Sequence, residues 1–157
     1  MKSETHLIRE LLPRIDREYR TLARPEAWGI CGFSMGGGGA LRLTLKHPDP
    51  FGAVASLAAA IEKSPDDNEG DNAYRHAAAL TPEQRARLRL YLVVGGDDFL
   101  FPRHEPFLRH LNGLGLATTF VTPSKVGHDF GKLTELSGDD MIRHLARELK
   151  SQSQRKP

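Results

Sequence analysis

The stretch from Ala27 to Pro48 constrains this chain most. AWGICGF is short and apolar, four glycines fill positions 36–39, and ALRLTLKHP carries apolar residues at helical spacing until Pro48 stops it. That is strand, tight turn and helix, with the helix starting close against the strand. Further along, FGAVASLAAA, LRLYLVVGG and LATTFVTPS read as three more short buried strands. EPFLRHLNGLG supplies a helix between the last two, with Gly113 and Gly115 near its end, and DDMIRHLARELK closes the chain as another. Upstream, Leu7, Ile8, Leu11, Leu12, Ile15 and Tyr19 recur at three- and four-residue steps. They describe an amphipathic helix over about residues 5–21, which Pro13 either kinks or opens. Strands that alternate with helices predict an α/β fold: a mostly parallel sheet of about four strands, covered by helices on both faces.

With 157 residues the chain has room for one domain, taken here as residues 1–150, followed by the polar tail SQSQRKP at 151–157. The segment 62–87 is polar and too long for a tight connection. It reads either as an excursion with a short helix of its own or as a flap or cap over a site at the carboxyl ends of the strands, where open α/β sheets hold ligands. Net charge is +2, from 22 basic and 20 acidic side chains scattered in both signs, which provides no concentrated footprint for nucleic acid or a membrane surface. The single cysteine, Cys31, excludes an intrachain disulfide, and its place inside a predicted buried strand makes it a small core residue. MKSETHLIRELL has no uninterrupted apolar run, so neither signal peptide nor membrane anchor is expected and cytoplasmic residence is the default. No H-E-x-x-H or C-x-x-C occurs, and His104 and His110 fall on different helix faces, so no metal or cofactor is expected.

The chemistry concentrates at Gly32-Phe33-Ser34-Met35-Gly36, which fits G-x-S-x-G between a strand and a helix. A serine forced into that bend projects its hydroxyl above the sheet edge, and glycines on both sides avoid collision with neighbouring backbone. The Met35 N–H, at a helix N-terminus, is positioned to steady an oxyanion. A phosphate-binding turn fits less well: no Lys-Ser or Lys-Thr follows, and G-x-G-x-x-G is absent around the turn. Serine is a poor nucleophile without a base, and the base needs an acid to fix its tautomer. Asp97 and Asp98 follow the strand LRLYLVVGG, and His128 follows LATTFVTPS in the loop VGHDF. Periodicity does not separate the two aspartates; one orients the base while the other faces solvent or caps the next helix. His6, His47, His76, His104, His110 and His144 lie on helical or polar segments and read as surface or packing residues, whereas His128 alone has the loop position a base requires.

At these residues the chain resembles the esterase branch of the α/β-hydrolase fold, the esterase D-like group that includes S-formylglutathione hydrolases, feruloyl esterases, enterochelin esterases and mycolyltransferases. LIRELLPRIDREYRT looks like the helix before the nucleophile strand, ICGFSMGGGGAL like the serine turn, HPDPFGAVASLAAA like the next helix end and strand, VVGGDDFLF like the acid loop and VGHDF like the histidine loop. The family's acid loop follows G-x-x-D, which sets Gly95 against Asp98 as the acid. Family members carry several strands ahead of the helix at residues 5–21, and a loop among them delivers a second oxyanion donor. Here the resemblance implies a truncated α/β-hydrolase fold whose nucleophile strand lies at a sheet edge, open to pairing with another chain in a homodimer or larger assembly.

The implied activity is that of a serine carboxylesterase on short acyl or aryl esters, with Ser34, Asp98 and His128 as catalytic residues and Met35 as oxyanion donor. Phe33, Phe99, Leu100 and Phe130 flank these positions and read either as an apolar acyl pocket or as core packing. Two other readings use the same residues: an acyltransferase, in which an alcohol replaces water, and an inactive remnant kept as a binding or assembly module.

Overall fold

The computed structural model of the protein describes residues 2–23, 27–67 and 70–154. Four strands form one parallel sheet in the order β1 (Trp28–Phe33), β2 (Phe51–Leu57), β3 (Arg89–Val93) and β4 (Ala117–Val121). Each junction is crossed by helix. The N-terminal segment comprises α1 (Lys2–Thr5), a wide π-type turn (His6–Leu11) and α2 (Leu12–Glu18). Then follow α3 (Met35–Lys46), α4 (Ala73–Ala79), α5 (Pro82–Arg87), α6 (Phe101–Gly113) and the long α7 (Phe130–Gln154).

The period-2 alternation of the strands sorts the core into two layers. On one face Val54, Leu90 and Leu92 pack with Leu41 and Leu45 of α3, Tyr74 and Ala77 of α4, and Phe107 and Leu111 of α6. On the other, Ala55, Leu57, Tyr91 and Val93 pack with Leu133 and Met141 of α7. β2 is buried at every position, as expected of a strand covered on both faces and flanked on both sides. The segment 62–87 holds α4 and α5, and α4 belongs to the first core layer. Its cap Asn72 is fully buried: Oδ1 accepts the Tyr74 N–H at 2.9 Å, while Nδ2 donates to the carbonyls of Ser64, Pro65 and Asp67. Thr81 and Gln84 cap α5 reciprocally.

Sequence expectations shift at the starts of α6 and α7, at the polar tail and at Cys31. Pro13 opens α2, one of the two readings that its position allowed. The turns before it widen, the Leu12 N–H reaches the Leu7 carbonyl, and Pro13 falls in the opening turn of α2, where a missing N–H is harmless. Helix α6 starts at Phe101 rather than at Glu105, and α7 at Phe130 rather than at Asp139. Helix α7 also runs into the polar tail as far as Gln154; residues 155–157 lie outside the described residues. Cys31 is exposed and not a core residue. Among the described residues β1 has a strand neighbour on one side only, and Gly29 and Cys31 on its α7 face are both exposed, although a Cβ added to Gly29 would lie 3.1 Å from Leu149 Cδ1.

Candidate active site

The carboxyl ends of all four strands converge, and the loops that leave them are tied to one another by backbone hydrogen bonds. Ser34 N–H donates to Leu57 O at 2.9 Å, Ala60 N–H to Ser34 O at 2.9 Å and Ala58 N–H to Val93 O at 2.7 Å. The loop after β3 is bound to the loop after β4 by Gly96 N–H to Pro123 O and Asp97 N–H to Val126 O, both 2.9 Å. Backbone strain collects at the same end. Ser34 (φ 54°), Ala58 (φ 44°) and Lys125 (φ 58°) all adopt the left-handed region without being glycine, one in each loop after β1, β2 and β4.

Ser34 stands between β1 and α3 with ψ at −118°, a conformation that turns its hydroxyl out of the sheet toward His128. Close approach explains the glycines, though not all of them. A Cβ on Gly32 would sit 2.4 Å from the Gly36 carbonyl and one on Gly38 2.4 Å from Ala60 O, so neither admits a side chain. Gly36 has open space around its Cβ position, which corrects the expectation that both glycines of G-x-S-x-G are sterically required.

His128 Nδ1 lies 2.9 Å from Asp98 Oδ2 and its Nε2 lies 2.9 Å from Ser34 Oγ. A carboxylate only accepts, so the neutral ring carries its proton at Nδ1 and donates it to Asp98; Nε2 is left as the acceptor for the Ser34 hydroxyl. The Asp98 side chain is fully buried and its second oxygen accepts the Leu100 N–H at 2.8 Å. Asp97, one residue earlier, points to solvent. Burial thus separates two aspartates that periodicity left equivalent and of which the family resemblance pointed to Asp98. Asp129 turns away from the ring: its Oδ1 accepts the Lys132 N–H at 3.0 Å and caps the start of α7.

Two aromatic rings pack against His128, with the centroids of Phe33 and Phe99 each at 4.8 Å, and Phe130 meets Phe33 edge-on at 5.4 Å. Phe99 is 71% exposed, Phe130 57% and Met35 80%, so three large apolar side chains rim the serine. Leu100 departs from that group. Its side chain is buried and its backbone supports Asp98. Met35 occupies the first position of α3, where a backbone N–H has no partner within the helix.

The other six histidines have partners elsewhere. His6 meets Glu10, His47 meets Glu4 and His76 meets Asp71. His110 donates to the Tyr74 carbonyl, His144 lies against Tyr91, and His104 is wholly buried with Nδ1 on the Leu100 carbonyl. A cavity of about 620 Å³ lies apart from Ser34, between the N-terminal segment and α3, lined by Glu4, Leu7, Gly39, Arg42, Leu43 and Lys46 among others.

A parallel sheet that presents a strained serine at a strand-to-helix turn, with a histidine and an aspartate on the following strand ends, is the architecture of an α/β-hydrolase fold. The chain belongs to the family described as Putative esterase, whose model matches residues 2–113. Solved structures similar to it include a ferulic acid esterase (TM-score 0.74, 24% identity, covering 91% of this chain and 60% of that one). The fluorophosphonate-binding serine hydrolase F of Staphylococcus aureus is similar at TM-score 0.72 and 19% identity, covering 88% of this chain and 62% of that one. So is an S-formylglutathione hydrolase from Agrobacterium tumefaciens, at TM-score 0.71 and 21% identity, covering 92% of this chain and 57% of that one. The chain therefore spans about three fifths of the length of these structures. No curated protein sequence matches it.

Proposed function

We propose that the protein is a serine carboxylesterase acting on short-chain acyl or aryl esters. One observation carries this reading: an unbroken hydrogen-bonded series from Ser34 Oγ through His128 to a buried Asp98, each step 2.9 Å. Ser34 Oγ attacks the ester carbonyl and passes its proton to His128 Nε2, while Asp98 stabilises the imidazolium that forms. The Met35 N–H faces the developing oxyanion. The tetrahedral intermediate collapses, His128 returns the proton to the departing alkoxide, and the acyl group stays on Ser34. Water then enters, surrenders a proton to His128 and releases the acid by the same steps in reverse order. Phe33, Phe99 and Phe130 form the apolar wall against which an acyl or aryl group rests; Leu100 acts behind that wall, through Asp98.

A fluorophosphonate probe tests the reading. Intact mass should show one covalent adduct, lost in Ser34→Ala; the absence of labelling on the native chain would leave the fold as a binding or assembly module. Family membership and the solved hydrolases support the reaction class.

The substrate side of the proposal has a counterpart at β1. Among the described residues β1 is flanked on one side only, WGICGF holds neither lysine nor proline, and its one register irregularity falls at the Trp28/Gly29 end, so the remainder of the edge is open and a second copy of the chain fits it as a homodimer or larger assembly. Light scattering at micromolar concentration should give a mass above the monomer's 17.4 kDa, and a monomer there removes this part of the proposal.

A further inference from the structure

His104 is completely buried on α6, yet it is not inert filling. Its Nδ1 lies 3.0 Å from the Leu100 carbonyl oxygen, and since a carbonyl only accepts, the ring proton is on Nδ1. Burial holds the imidazole below its ordinary range, against the opposing pull of that hydrogen bond and of the nearby Asp98 carboxylate, so the ring is neutral and carries one proton only. Nε2 is left with a bare lone pair and no hydrogen-bond partner among the described residues. A leucine or phenylalanine would fill the same space without stranding a polar atom. Helix bookkeeping does not ask for the bond either. At a helix N-terminus it is N–H groups that lack partners, and the Leu100 carbonyl already receives the Arg103 N–H at 3.0 Å. What the bond does reach is the residue whose own N–H holds Asp98 Oδ1 at 2.8 Å.

We infer that His104 is a positioning residue for the acid loop: by gripping the Leu100 carbonyl from inside the core it fixes the Leu100 N–H on Asp98, and so fixes the aim of Asp98 on His128. The inference rests on the reading of Ser34, His128 and Asp98 as nucleophile, base and acid. The ring is held in turn against Phe120 of β4, with centroids 6.5 Å apart and planes 24° from parallel, so the grip is anchored in the sheet rather than in the loop it steadies.

The test compares His104→Leu, which removes the donor, with His104→Asn, whose side-chain amide nitrogen falls near the position of Nδ1 and retains it. In the leucine variant kcat on an activated aryl ester should fall about tenfold with KM unchanged, as expected when a catalytic group loses orientation and not its substrate contact. Fluorophosphonate labelling of Ser34 should slow by the same factor. The downfield proton resonance of His128 Nδ1–H, identified by its loss in Asp98→Asn, should broaden or exchange faster. The asparagine variant should recover to within about threefold of the native kcat although both variants lose core volume and melting temperature, because orientation and packing are separable contributions. If His104→Leu does not fold, His104→Phe replaces it, since it keeps a ring against Phe120 and still lacks the donor. Leucine and asparagine variants that behave alike overturn the inference, whether both retain native turnover and the His128 proton signal or both lose them. Should the native chain neither hydrolyse esters nor label, the esterase reading falls, and the proton resonance alone decides whether His104 steadies Asp98.

Discussion

Around Ser34 the backbone closes to separations that exclude any side chain: an added Cβ would lie 2.4 Å from backbone at Gly32 and 2.0 Å from Val126 O at Gly95. On the far side of α3 the opposite holds. About 620 Å³ separates that helix from the N-terminal segment, which is fastened by charge, with Glu4 accepting from Lys46 Nζ at 3.0 Å and from His47 Nε2 at 2.6 Å. One region is determined by steric exclusion and short backbone bonds, the other by a few side-chain contacts around a gap. Substitutions at the first should therefore act through geometry, and at the second through stability alone.

The largest effects should come from Ser34 and Asp98, the groups of the proposed reaction. Ser34→Ala should lower turnover of an activated ester at least a thousandfold, and Asp98→Asn by roughly a thousand- to ten-thousandfold, since the amide presents the wrong donor to His128. Neither should shift the denaturant midpoint enough to account for the loss. Asp97→Asn, on an exposed side chain one residue away, should stay within about twofold of native turnover because exposed substitutions remote from the reacting groups are nearly neutral. Steady-state kinetics beside urea unfolding separates the three, and an equal loss at Asp97 would remove burial as the property that selects the acid.

Gly95→Ala comes next. Its Cβ would meet the Val126 carbonyl, and neither the loop after β3 nor the loop after β4 is free to yield because Gly96 and Asp97 bind across them. A destabilisation of about 3–5 kcal/mol is expected, together with loss of activity as the Asp98 and His128 loops separate. A variant with native unfolding free energy would show that these loops relax.

At the charged contact the expected effect is smaller. Its hydrogen bonds from His47 and Lys46 hold the Glu4 carboxyl at a pKa of about 2, well below the ordinary 4.5. A depressed folded-state pKa means that the charged form stabilises the fold above the unfolded value, and that this contribution fades as pH falls from about 4.5 through about 2. Glu4→Gln should cost about 1–2 kcal/mol near neutral pH and leave kcat unchanged. The gap in stability between native chain and variant should close across that acid window; a gap independent of pH would exclude the carboxylate as its source.

The same contrast explains what the sequence made legible. Ser34, Asp98 and His128 stand on three different strand ends, but each carries a local signature, glycines at the turn or a loop directly after an apolar run, so their convergence follows from the fold class. The four strands were legible for the same reason. Helix α7 was not, over its first nine residues: Gly131 and Gly138 mask a pattern in which Leu133, Ser137, Met141 and His144 all turn inward, and Asp129 caps the start from within the histidine loop. Exposure of Cys31 depends on what stands beside β1, which no local pattern records. Nor does any pattern show that Glu4 meets Lys46 and His47, since that contact spans more than forty residues. His104 was hidden twice over: its helix begins earlier than its apolar spacing suggests, and its partner is a backbone carbonyl.

Adjacent glycines of α3 give the sharpest form of the comparison, and Gly39 its smallest effect. Gly38 and Gly39 are neighbours with the same helical backbone, but they face the two different regions. A Cβ on Gly38 would lie 2.4 Å from Ala60 O, in the loop that also binds Ser34, while one on Gly39 enters open space at the cavity. Gly38→Ala should therefore destabilise by several kcal/mol and impair turnover, since the carbonyl it strikes belongs to Ala60, whose N–H holds the Ser34 carbonyl. Gly39→Ala should stabilise by about 0.5–1 kcal/mol, through better helix propensity and a less disordered unfolded chain, with kcat and KM unchanged. Urea unfolding of the two single variants reads the sign directly. Opposite signs at consecutive positions place the boundary between the close-packed and the open region within one turn of α3; equal signs would mean that the loop beside Ser34 gives way as readily as the empty space does.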